Sequence, residues 1–166
     1  MIYSTAPHEA PIDQGDLIEG CVVAILQSFT LGRREYDAEF ETPRVVVLTQ
    51  TCDLANDKTS VVTVAEVQNA HTFVDAGILK PSDIKGPLRS GRIWGLYFLP
   101  ADAALGLPEM IVDLRRLHTV KLDMLRTLCA AGKRPGRVQP LYREHLAKHF
   151  ADTFSRIGLP RPYETL

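Results

Sequence analysis

Cysteine is scarce in this chain: three among 166 residues, Cys21, Cys52 and Cys129, with no CxxC spacing. An odd number without paired spacing excludes a disulfide framework and a four-cysteine zinc site. Long apolar runs are missing too, none approaching the roughly 20 residues that span a bilayer. The opening MIYSTAPHEAPIDQGD lacks the basic start and apolar stretch of a secretory signal, so the expected compartment is the cytoplasm and no membrane association is expected. No Gly-rich phosphate fingerprint follows a strand, which removes dinucleotide-binding and P-loop chemistry. Internal repeats and low-complexity segments are absent.

What is present is an ordinary globular composition, 45% hydrophobic and 23% charged. The length fits one domain, residues 1–166, with enough material for a sizeable core. The net charge of −1 conceals an asymmetry. Residues 1–60 carry 10 acidic and 4 basic side chains, whereas residues 100–166 carry 7 acidic and 11 basic ones. That polarity can orient a partner, but it is too mild to specify nucleic acid.

Residues 1–14, with two prolines and no apolar period, read as an irregular arm. GDLIEGCVVAILQSF reads as a strand entered through a Gly15–Asp16 turn, with Gly20 as a bulge. TLGRREYDAEFETP reads as a polar loop or hairpin. The β-branched run Val45 to Gln50 predicts a strand, and Ser60 to Val67 predicts the next after a turn rich in Asp and Asn. Residues 68–92 read as a loop with one short helix. RIWGLYFLP and EMIVDLRRLHTV are further strands, KLDMLRTLCAAG a short helix stopped at Gly132, and KRPGRVQP a basic linker. In LYREHLAKHFADTFSRIG the residues Tyr142, Leu146, Phe150, Thr153, Phe154 and Ile157 share one helical stripe. Strands followed by two helices predict an α+β fold: a small curved antiparallel sheet or SH3-like barrel with two C-terminal helices.

The stretch RVVVLTQTCDLAND holds the clearest chemical candidates. A thiol at a strand end, Cys52, is reachable by substrate, and a histidine or helix N-terminus would activate it. Asp53 either assists it or caps the turn through its own side chain. His145 and His149 stand one helical turn apart and would share a metal if Cys52 or Asp53 supplied a third ligand; HLAKH lacks the glutamate of HExxH, and the reading without a metal or any other cofactor is preferred. Arg143 falls beside Phe150 and Phe154, where a guanidinium needs an acidic partner such as Asp16, Asp53 or Asp113, or an anion. Lys133 and Arg134 sit in a basic segment suited to phosphate contact or to plain solvation.

The order GDLIEGCVV, PRVVVLTQT, SVVTVAEV resembles the start of the PemK/MazF-like ribonuclease toxins over about residues 14–67. Gly15 and Asp16 match the family's opening turn, and Val45 to Thr49 match its second strand. The resemblance implies a small SH3-like barrel, a homodimer, and metal-free cleavage of single-stranded RNA, with Arg33, Arg34 or Arg44 placed to meet phosphate. Two departures stand against cleavage. Proline precedes arginine at Pro43–Arg44, and the third strand ends in AEVQ where the family carries a catalytic Ser or Thr. The preferred expectation is therefore a non-catalytic binding or accessory module docking RNA or a protein. The alternatives are a diverged ribonuclease using Arg33, Arg34 or Arg44, or a thiol enzyme centred on Cys52 with Asp53 beside it, which makes Cys52, Asp53 and Arg44 the catalytic candidates.

Overall fold

The computed structural model describes residues 1–32, 36–56 and 58–155. Its strands are β1 (Tyr3–Ser4), β2 (Asp16–Ile18), β3 (Val23–Phe29), β4 (Tyr36–Glu41), β5 (Arg44–Val47), β6 (Val61–Asn69), β7 (Leu96–Leu99), β8 (Met110–Lys121) and β9 (Gly136–Val138). The helices are α1 (Thr51–Ala55), α2 (Ala70–Asp75), α3 (Pro81–Asp83), α4 (Leu122–Ala130) and α5 (Pro140–Phe154), with a π-helical turn over Ile84–Leu88. Seven strands form one curled, antiparallel half-barrel in the order β1-β9-β2-β5-β6-β8-β7. Strands β3 and β4 pair only with each other. The α+β class with a curved antiparallel sheet is as the sequence predicts.

The valine run explains the layering. Strands whose neighbours lie on both faces read as unbroken apolar stretches. Val46 packs with Leu17, Tyr97, Leu114 and Leu146, on the side covered by α5. Val45 and Val47 pack on the other side with Val62, Val64, Leu125 and Cys129, where α4 lies. All three valines are fully buried. A third cluster joins Phe73, Leu88, Leu96 and Ile111 beneath the short helices of residues 70–88.

The sheet curls where β6 meets β8. Ala65 faces Leu117 but the next residue, Glu66, faces Asp113, so Leu114–Arg116 are extra on the β8 side. Extra residues on one strand bend it and increase its twist. The bend also gives buried Glu66 its partners: His118 Nε2 at 2.8 Å and Arg116 Nε at 3.0 Å.

Three sequence expectations change. GDLIEGCVVAILQSF is not one strand; β2 stops at Ile18, and Gly20, at φ 72°, turns the chain out of the main sheet. Only glycine adopts that backbone without strain. The linker KRPGRVQP contains β9, which lies between β1 and β2, and three residues are too few to show a period. The arm 1–14 holds β1, with Tyr3 buried against the core. Of the helical stripe, Leu146 and Thr153 are buried, Tyr142 and Phe154 are exposed, and Ile157 lies outside the described residues.

Candidate functional site

The end of β5 turns into α1, a helix of five residues. Cys52 is exposed there, and its sulfur lies 3.6 Å from Gln50 Oε1 and 3.8 Å from Asp53 Oδ1. Both neighbours are acceptors. Cys52 stands in the first turn of α1, one of the two activators a reactive thiol uses, but that helix is only five residues long, and among the described residues no cation or imidazole bonds to Cys52. Asp53 forms an exposed pair with Lys58, Nζ to Oδ1 3.6 Å, of a kind worth little. Arg44 begins β5 and Cys52 follows its far end, so the three catalytic candidates do not converge. Arg44 instead donates to Glu19 Oε1 at 2.5 Å and to Met110 Sδ at 3.0 Å.

The other residues of TQTC are anchors. Thr49 Oγ1 accepts from the Thr63 amide at 2.8 Å, and the Thr51 hydroxyl donates to Asp13 Oδ1. Asp13 also receives Arg143, Nη1 to Oδ2 3.1 Å, so the acidic partner of Arg143 is Asp13 rather than Asp16, Asp53 or Asp113. Alongside lies a fully buried pair: Arg134 Nη1 donates to Asp16 Oδ2 at 3.0 Å, both side chains having no exposure. Arg137 forks onto the same carboxylate at 2.5 and 2.9 Å. Arg134 also donates to the carbonyls of Pro7, Ala10 and Pro11, and Arg137 to that of Pro11. These guanidiniums rivet the N-terminal arm to the sheet, and Arg134 and Arg143 are engaged inside the molecule. Lys133 is exposed, and Arg33 and Arg34 lie outside the described residues.

His145 and His149 both pack against Tyr97, with ring centroids 5.4 and 5.7 Å away. His145 Nδ1 is 3.2 Å from the Tyr97 hydroxyl, whose pKa burial pushes up to about 12. Burial likewise lowers the pKa of His149. Among the described residues no group of three or more His, Cys, Asp or Glu side chains is placed to hold a metal ion. No helix among them is long and apolar enough to cross a membrane.

The hairpin of β3 and β4 takes up the polar loop-or-hairpin segment, and what sequence reading missed is its apolar face. Its register pairs Ala24 with Phe40, Leu26 with Ala38 and Phe29 with Tyr36. Directly paired residues share a face, so these six side chains, all apolar, line one side. The reverse side carries Asp37, Glu39 and Glu41 opposite Ser28, Ile25 and Val23, with Val23 buried in the core and Glu41 paired with Arg116 at 3.3 Å. A bulge at Gln27 keeps the apolar side continuous: without it Ser28 would take the place of Phe29. That side is bare, with Leu26 56%, Phe29 65%, Tyr36 69% and Phe40 70% exposed. The available signal was YDAEFE, a strict apolar–acidic alternation.

The hairpin's root opens onto a groove of about 490 Å³ lined by Val22, Ala24, Leu117, His118, Lys121 and Met124 among others. Its far wall is a bare strand edge. Thr63 turns its amide and carbonyl towards Thr49 and Leu48, so Thr119, opposite it, points its own backbone groups away from β6. Strand β7 covers β8 only at Met110–Asp113, so Leu117–Lys121, paired with β6 on one edge, have no strand on the other among the described residues. Apolar hairpin face, groove and bare edge form one continuous surface through Ala24. The chain matches no protein-family model and no curated protein.

Proposed function

We infer that this protein is a non-catalytic docking module that engages a protein through the β3–β4 hairpin and the groove at its root. The observation carrying this reading is an apolar hairpin face that stands exposed among the described residues. A two-stranded hairpin alone is marginal in water, and contiguous exposed apolar patches mark interaction sites. Bare strand edges in natural proteins are covered, charged or paired. Protein is favoured over RNA as the partner because the hairpin's other side carries three carboxylates, which repel a phosphate backbone. Against the thiol enzyme weighs that, among the described residues, no imidazole or cation bonds to Cys52 beside Asp53, and against the diverged ribonuclease that Arg44 is held by Glu19.

The test replaces Leu26 and Phe40 together by Ser. If the face serves docking, the fold does not need it, and the melting temperature at low protein concentration stays within about 2 °C of wild type. A fall of about 8 °C or more, the scale of a core deletion, would show that these side chains hold the fold itself, and the docking reading would fall.

A further inference from the structure

We propose that the partner on this surface is a second copy of the same chain, the two hairpins packing apolar face to apolar face, antiparallel, about a two-fold axis. This rests on the docking reading above and adds the identity of the occupant.

Three observations support it. The first is self-complementarity. A two-fold contact sets residue i of one copy against residue j of the other, so an apolar face can meet itself throughout, whereas a charged one needs a complementary charge at every matching position. The six residues Ala24, Leu26, Phe29, Tyr36, Ala38 and Phe40 carry no charge, and Asp37, Glu39 and Glu41 all lie on the reverse, away from the contact.

The second is shape. The tip rung holds two large rings, Phe29 and Tyr36, whereas the root rung pairs Phe40 with the small Ala24. An antiparallel arrangement brings the tip of each hairpin over the other's root. There Ala24 and the groove beside Val22, Leu117 and Met124 leave room for the rings. A parallel arrangement would crowd the two tips together and leave both grooves empty.

The third is area. Given their exposures, the four large side chains present on the order of 500 Å² per copy. Two copies then bury about 1,000 Å² before the grooves are counted, which reaches the lower limit of a specific interface.

Sedimentation velocity on the full chain across a wide concentration range is the test. Wild type is expected to pass from the 18.5 kDa chain to twice that mass. Phe29→Glu, which removes the tip ring and sets a carboxylate into the apolar contact, is expected to weaken association by about 100-fold or more while the circular dichroism spectrum is unchanged. In a Cys52→Ser background, Ala24→Cys combined with Phe29→Cys is expected to cross-link two copies on mild oxidation, and Phe29→Cys alone is not. A wild type that stays monomeric throughout overturns the second copy as occupant, and leaves the docking reading to its own thermal test. A dimer indifferent to Phe29→Glu, or one in which Phe29→Cys alone cross-links to itself, overturns the proposed arrangement.

Discussion

Two neighbouring stretches of this chain are both β structure, and they meet opposite fates. Strand β5 is covered on both faces, its valines shared between two core clusters. Strand β4, ending only three residues earlier, pairs with a single strand and is exposed along almost its whole length. The difference lies in how each stretch disposes of its polar groups. Around β5 every charge is either at the rim or matched, as Asp16 is by Arg134 and Arg137. In β4 carboxylates alternate with apolar side chains, a pattern that would let the apolar face lie on the chain's own body with the charges in water, yet here that apolar face is the exposed one.

If that contrast is right, damage on the covered side should be severe. Asp16→Ala leaves Arg134 buried beside no counter-charge and frees the carbonyl-bound arm. Breaking one side of a buried pair costs about 3–5 kcal/mol, or a fall of roughly 10 °C for a chain of this size. Residues 5–14 should then become sites of limited proteolysis. A fall of under about 2 °C would mean that the pair is incidental to the covered region.

Next in size is a pH effect confined to the covered region. Burial lowers the pKa of His149; the Leu96 carbonyl opposes the shift, nearby His145 adds to it, and Asp152 opposes it. The folded state thus takes up a proton less readily than the unfolded chain, whose histidine titrates near pH 6.5. Stability is complete above that value and is lost as pH falls through the depressed folded pKa. Thermal melts from about pH 7 down to about pH 5 should fall less steeply for His149→Gln than for wild type. Parallel curves would place the acid sensitivity elsewhere.

The same contrast explains what the sequence made legible. The valine run was readable because burial imposes an unbroken apolar stretch on enough residues to see; the α5 period gave the helix but not its buried face, since Tyr142 and Phe154 are exposed. Strand β9 was not, since three residues carry no period and its neighbours are basic. The exit at Gly20 was hidden because a turn glycine and a bulge glycine look alike in one dimension. Cys52 and Asp53 drew attention as a reactive pair, yet the structured residues of that stretch are Thr49 and Thr51, whose partners Thr63 and Asp13 lie far off in sequence. A hydroxyl's partner across a sheet cannot be read from spacing. The hairpin was legible as β structure but not as a surface, because alternation reveals two faces without saying which of them the body will cover.

The smallest expected change is also the sharpest probe of that last point. Deleting Gln27 removes the bulged residue, and the remaining register still pairs Leu26 with Ala38 and Phe29 with Tyr36. Deleting Ala38 is a lesion of similar size on the opposite strand, but a one-residue slip there swings Tyr36 to the acidic side and brings Asp37 onto the apolar one. Both deletions lie on an exposed element, so each should move the melting temperature of the monomer by only about 2 °C. Association should persist without Gln27 and vanish without Ala38. If the two deletions associate equally, the face defined by register is not what a partner reads, and the hairpin differs from β5 only in being uncovered.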